Sequence, residues 1–214
     1  MKTYLVTGAA GFIGTNFVKY MLEKYGESIR IVVLDKLTYA GNIGNIQEEI
    51  DSKKIDFVKG DICNRELVED IFSRYEIDYV VNFAAESHVD RSISNPQIFL
   101  ETNILGTQNL LEVSKKFWSI GKDENGYPVY KEGKKFLHIS TDEVYGSLTK
   151  DYTEAKELVL NDRVKKVAEG RKNLKTYGNK FFTEETLLDP RSPYSASKTS
   201  SDMIVRAYAE TYKF

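Results

Sequence analysis

Tyr194 and Lys198 stand four residues apart in Ser192-Pro193-Tyr194-Ser195-Ala196-Ser197-Lys198. Pro193 suits the first turn of a helix, and i, i+4 spacing sets both side chains on one helical face. An ammonium beside a phenol favours the phenolate and draws its pKa toward working pH. Such a tyrosine can take a proton from an alcohol while hydride leaves the same carbon. A second group follows an apolar run: Ser140-Thr141-Asp142-Glu143-Val144-Tyr145-Gly146. Thr141 can donate a hydrogen bond to a reacting oxygen. Asp142 and Glu143 can serve as the acid and the base of an elimination, provided their surroundings hold them in different protonation states. Both groups have a plainer reading as well. Exposed helices carry Tyr/Lys pairs by chance, and adjacent acids cap loops.

A third pattern, Thr7-Gly8-Ala9-Ala10-Gly11-Phe12-Ile13-Gly14, follows the first apolar run and opens an amphipathic stretch. The first glycine permits a tight turn, the second lets backbone approach a pyrophosphate, and the third lets helix and strand pack closely. The helix N-terminus then offers free N–H groups and a positive dipole end to phosphates. Glycines in such a turn can also serve chain reversal alone. Asp35 ends the next apolar run, about twenty residues further on, where a carboxylate accepts from both ribose hydroxyls of an adenosine and repels a 2′-phosphate. That favours NAD over NADP, although Lys36 follows directly and softens the preference. The plainer reading of Asp35 is a surface carboxylate at a strand end.

The elements that must position these groups alternate along the chain. Tyr4 to Thr7, Ile31 to Leu34, Asp56 to Val58, Tyr79 to Phe83 and Phe136 to Ser140 read as buried strands. Phe12 to Lys24, Asn64 to Tyr75, Pro96 to Trp118 and a segment from near Pro193 to Phe214 read as helices. Repeated βα units predict an α/β fold, a doubly wound, Rossmann-like parallel sheet. Ser119 to Lys135, with Gly121, Gly126, Pro128 and Gly133, reads as an exposed loop. The charged stretch from Ser147 to Phe182 reads as an insertion with a solvated basic face.

The chain has 214 residues, 41% hydrophobic and 29% charged, with a formal net charge of −2. That balance carries no electrostatic footprint for nucleic acid. No apolar run approaches membrane-span length, no signal-peptide pattern precedes the first strand, and no metal-ligand spacing stands out. The one cysteine, Cys63, cannot form an internal disulfide, which fits a reducing, cytoplasmic location.

Together, Thr7 to Gly14, Asp35-Lys36-Leu37-Thr38-Tyr39-Ala40-Gly41-Asn42, Ala84-Ala85-Glu86-Ser87-His88-Val89-Asp90-Arg91-Ser92, Ser140 to Gly146 and Ser192 to Lys198 resemble the nucleotide-sugar 4,6-dehydratases of the extended short-chain dehydrogenase/reductase family. The likeness is closest to those acting on dTDP-glucose. It spans almost the whole chain outside the 147–182 insertion, and the Thr-Asp-Glu run makes it specific, since related epimerases usually lack both acids. The resemblance implies an NAD-binding domain over residues 1–214. Gly8, Gly11, Phe12, Ile13, Gly14, Asp35, Lys36, Leu37, Thr38, Asp61, Ile62, Phe83, Ala84, Ala85, Ser87, Thr102, Tyr194 and Lys198 would meet the cofactor. It implies that Tyr194 takes the C4 hydroxyl proton, that Thr141 holds the C4 oxygen, that Glu143 takes the C5 proton and that Asp142 protonates the departing C6 hydroxyl. Lys198 supports the tyrosine and the nicotinamide ribose, while Ser87 lies near the sugar. His88 has a loop-anchoring place, and Asn103 to Thr107 support the site from a helix. A homodimer through helices near 96–118 and 193–214 is expected on the same ground. Family members continue into a C-terminal lobe that grips the nucleotide, which this chain lacks, so NAD binding with weak or no turnover is expected of this length. Another nucleotide-sugar epimerase or dehydratase, and a non-catalytic NAD-binding module, are the alternatives.

Overall fold

The computed structural model describes residues 1–147, 182 and 186–214, so of the expected insertion only Ser147 and Phe182 lie among the described residues. Two compact units are present: Met1–Ser140 with Ser192–Phe214, and Thr141–Arg191. The described strands are β1 (Lys2–Thr7), β2 (Ile29–Asp35), β3 (Asp56–Lys59), β4 (Tyr79–Asn82), β5 (Ser119–Lys122), β6 (Pro128–Tyr130) and β7 (Lys135–His138). The first unit holds a five-stranded sheet in the order β3-β2-β1-β4-β7, parallel at every pairing.

Strand alternation explains why both faces of this sheet are covered. Leu5, Val32, Leu34 and Val80 point into one layer, whereas Val6, Ile31 and Val33 point into the other. The first layer is closed by α3 (Arg65–Arg74) and α6 (Thr107–Trp118), through Val68, Ile71, Phe72, Leu110 and Val113. The second is closed by α1 (Phe12–Tyr25), through Val18 and Met21. Burying each such side chain contributes about 1.5–3 kcal/mol. Helices on both faces of a parallel sheet make the doubly wound arrangement that the apolar periodicity implies. The short helices α2 (Gln47–Asp51), α4 (Val89–Ser94) and α5 (Pro96–Phe99) lie in the connections. Asn64 caps α3 by accepting from the Leu67 N–H at 3.1 Å.

Three readings of the sequence need correction. The stretch from Ser119 to Lys135 is not all loop: β5 and β6 pair antiparallel as a separate two-stranded sheet. The helix expected from Pro96 to Trp118 is interrupted, because Leu100–Gly106 winds as a π-helix between α5 and α6. The fifth strand of the main sheet ends at His138: Ile139 still donates to the Asn82 carbonyl at 3.2 Å, but the expected last two residues, Ile139 and Ser140, lie outside the strand.

The last helix of the first unit, α7 (Pro193–Tyr212), begins with a capping box. Ser192 Oγ accepts from the Ser195 N–H at 3.0 Å, and Ser195 Oγ accepts from the Ser192 N–H at 3.0 Å. Pro193 occupies the first turn. The helix is thereby started at a defined residue, one position before Tyr194.

Candidate functional site

The glycine turn is built as a cradle. Gly8 has φ +68°, and a Cβ there would stand 2.6 Å from the Ala84 nitrogen, so the turn lies against the chain leaving β4. A Cβ on Gly14 would stand 2.5 Å from the Gly8 carbonyl oxygen and 2.7 Å from the Ala9 Cα. Only glycine lets the start of α1 approach the turn this closely. The α1 N-cap is Gly11, without a side-chain cap, and no acid sits in the first turn. Its free N–H groups and dipole are left for an anion.

Asp35, 7% exposed, ends β2 beside this turn. Its Oδ2 accepts from the Ala10 N–H at 2.9 Å, and its Oδ1 from the Leu37 N–H at 2.7 Å. Each oxygen keeps a lone pair for a further donor. Lys36 does not face a ligand unpaired: its ammonium lies 2.6 Å from Asp61 Oδ2. That pairing raises the Lys36 pKa against the opposing effect of burial. Burial pushes Asp61 upward, but Lys36 and the Cys63 N–H outweigh it and leave the carboxyl below its ordinary value.

A cavity of about 380 Å³ opens along this edge of the sheet, within the first unit. Its wall includes Gly8, Gly11, Phe12, Ile13, Gly14, Asp35, Lys36, Thr38, Asp61, Ile62, Phe83, Ala84, Ala85, Ser87 and Thr102, and it also includes Tyr194 and Lys198. The glycine turn and the Tyr/Lys pair therefore face one space. Leu37 is the exception among the expected cofactor residues. Its N–H is held by Asp35, and its side chain packs against the Val6–Val18–Val33 layer. The wall further includes Glu86 and Ser140, which the sequence motifs contain without assigning them a role, and Ile139.

Tyr194 and Lys198 are buried, at 8% and 3% exposure, and Phe99 of α5 meets the tyrosine ring edge-on. Lys198 Nζ donates to the Ile139 carbonyl at 2.6 Å. Burial lowers the Lys198 pKa from the ordinary 10.5 to about 8, with Asp202 partly opposing it. The π-helical turn brings Asn103 to this end. It holds the backbone of Glu86 at both N–H and carbonyl, at 2.8 and 2.9 Å, and donates to Ser197 Oγ at 2.8 Å. His88 is exposed beside Tyr39, ring to ring at 6.5 Å, and Arg91 stacks over the same tyrosine at 3.9 Å.

The second unit carries the other expected group. Thr141 is the N-cap of a 3₁₀ turn, Asp142–Tyr145, and its Oγ1 accepts from the Glu143 N–H at 3.3 Å. Val144 is the buried residue of the turn, its carbonyl taken by the Asp189 N–H at 3.0 Å, and the Tyr145 ring packs on Phe182. Asp142 is exposed and Glu143 half-buried, so the two carboxyls do sit in different surroundings.

The family model for GDP-mannose 4,6 dehydratase matches residues 5–159 and 175–214. A dTDP-glucose 4,6-dehydratase of Salmonella typhimurium is 42% identical over 209 residues, covering 97% of this chain and 50% of the relative. The crystal structure of dTDP-glucose 4,6-dehydratase from Bacillus anthracis in complex with NAD superposes with a TM-score of 0.71 at 40% identity, covering 100% of this chain and 52% of that one. A UDP-glucose 4-epimerase from Thermotoga maritima, solved with UDP-glucose, follows at a TM-score of 0.70 and 28% identity, covering 99% and 52%. The chain spans about half the length of the relatives it matches.

Proposed function

Since the chain belongs to the GDP-mannose 4,6-dehydratase family, we propose that it is the cofactor-holding, catalysis-bearing part of a dTDP-glucose 4,6-dehydratase. The observation that carries this reading is a cavity whose wall includes both the glycine turn with Asp35 and the Tyr194–Lys198 pair.

The residues present fit NAD. Gly8 and Gly14 let the turn close against the chain after β4 and the start of α1, where a Cβ would strike backbone, the bare α1 N-terminus suits a pyrophosphate, and Asp35 keeps acceptor capacity for ribose hydroxyls. Pairing Lys36 with Asp61 removes the cation that would welcome a 2′-phosphate. Bound NAD supplies a reversible hydride acceptor to the reaction. Tyr194 takes the proton of the sugar C4 hydroxyl, helped by the Lys198 charge beside it. Thr141 steadies the C4 oxygen, Glu143 removes the C5 proton and Asp142 protonates the departing C6 hydroxyl. Ser87 is assigned to the sugar.

In this reading the protein is a homodimer through helices near 96–118 and 193–214, supported by the exposed Leu100, Leu105 and Met203 on those segments. It works in the cytoplasm on a small nucleotide sugar, in keeping with its single cysteine. Among the described residues no helix is long and apolar enough to cross a membrane.

Incubating the full-length gene product with NAD and dTDP-glucose, and analysing the sugar by mass and NMR, tests the assignment. Loss of one water to a 4-keto-6-deoxy sugar is expected. Inversion at C4 without loss of water would mark an epimerase instead, and an unchanged sugar with bound NAD would mark a non-catalytic module.

A further inference from the structure

His138 closes β7 with its side chain only 5% exposed, and nothing in the proposed chemistry employs it. Its Nε2 lies 3.5 Å from Lys198 Nζ. Which ring nitrogen carries the proton follows from hydrogen bonds that begin at the glycine turn. The Ala84 N–H donates to Thr7 Oγ1 at 3.2 Å, and the Thr7 hydroxyl lies 2.6 Å from Asn82 Oδ1. That separation belongs to an O–H···O bond and is short for an amide N–H. Thr7 is therefore the donor, and the Asn82 carbonyl the acceptor.

The Asn82 amide is thereby oriented. Its Nδ2 donates to Thr107 Oγ1 at 3.2 Å and to His138 Nδ1 at 3.2 Å. A ring nitrogen that accepts cannot hold the proton of a neutral imidazole, so the proton sits on Nε2. It faces Ser201 Oγ at 3.1 Å, whose own proton goes to the Lys198 carbonyl at 2.8 Å. Asp202 Oδ1 stands 3.5 Å from the same nitrogen. Thr7, Asn82, Thr107 and Ser201 are all buried.

Lys198 consequently meets a donor where the imidazole stands. One of its N–H bonds goes to the Ile139 carbonyl, and the ring presents no lone pair to a second. We propose that His138 is a positioning residue for Lys198: the Thr7–Asn82 relay holds a ring N–H against the ammonium and so directs its remaining N–H bonds into the cavity. The consequence for NAD affinity rests on the functional reading above, whereas the tautomer does not. The charged groups facing the ring are Lys198 and Asp202, both from α7. Burial, with Lys198 second, lowers the His138 pKa to about 3, so the ring stays neutral at working pH.

NMR of ring-labelled histidine tests this on the chain, with His88→Asn removing the second imidazole. The expected His138 ring has a bare Nδ1 and a protonated Nε2, unchanged from about pH 5 to about pH 9. Asn82→Asp replaces the amide donor with an acceptor. It should place a proton on Nδ1 and weaken NAD about tenfold in calorimetric titration. Thr7→Val, closer in shape, should yield a mixture of both tautomers if Asn82→Asp folds poorly. A wild-type ring protonated on Nδ1, or variants that keep the bare Nδ1, would overturn the relay. Variants that change the tautomer yet bind NAD like the wild type would overturn the positioning role. If the wild type binds no NAD at all, the functional reading fails, and the tautomer measurement still decides the relay.

Discussion

Replacing Lys198 with Met removes a charge that the folded chain holds at a cost. Lys198 is 3% exposed, and its pKa falls from 10.5 to about 8 because of burial. At about 1.4 kcal/mol per pH unit this costs the fold roughly 3 kcal/mol below about pH 8, where the amine is protonated both folded and unfolded. Between about pH 8 and about pH 10.5 the unfolded chain binds the extra proton, so the wild type gains stability as pH rises through that window. Met keeps the length of the side chain but leaves the Ile139 carbonyl without its donor, a loss of about 1–3 kcal/mol that does not depend on pH. Near neutrality the two effects nearly cancel, and Lys198→Met should differ little from the wild type. Across pH they do not cancel: the variant should fall behind the wild type by about 2.5 kcal/mol between about pH 7 and about pH 10. Urea unfolding of both chains at the two pH values measures this. A stability difference that stays constant across the window, or one that moves in the variant's favour, would refute the buried-charge argument.

Gly14→Ala should cut NAD affinity about tenfold or more, read by titration, because the new Cβ meets backbone atoms at 2.5 and 2.7 Å and must open the phosphate turn. Asp35→Ala leaves the Ala10 and Leu37 N–H groups without their acceptor, so it should lose about 2 kcal/mol of stability and shrink the NAD-over-NADP preference about tenfold. An unchanged preference ratio would remove Asp35 from the ribose site. In the full-length gene product, Tyr194→Phe should lower turnover by about 100- to 10,000-fold while NAD affinity changes less than about tenfold. Equal losses in both would assign the phenol to binding alone.

The sheet was legible because its strands bury residues on both faces, so Val32-Val33-Leu34 and Val80-Val81 read as apolar runs flanked by amphipathic helices. The cavity wall was legible through glycine spacing and the carboxylate beyond it, since those demands are local. What escaped was non-local or lacked a pattern. The π-helical turn at Leu100–Gly106 leaves no periodic signature, yet it aims Asn103 at the backbone of Glu86. The β5–β6 hairpin is short and mostly exposed, with Gly121 and Pro128 inside its strands, so it offers loop composition and no alternation. Leu37 sat in a motif shared with true wall residues, but φ +56° turns its side chain toward the core. Asn82 and His138 end neighbouring strands more than fifty residues apart, and only their register makes them partners.

The central claim is that the C4 position of a nucleotide sugar is oxidised beside Tyr194 and then relieved of water at C6. Following deuterium placed at C4 of dTDP-glucose, with the full-length gene product as catalyst, tests it most directly. The account predicts product with the label at C6 of the same molecule. Label retained at C4 of an inverted sugar, or recovered in solvent water with C6 unlabelled, would contradict it.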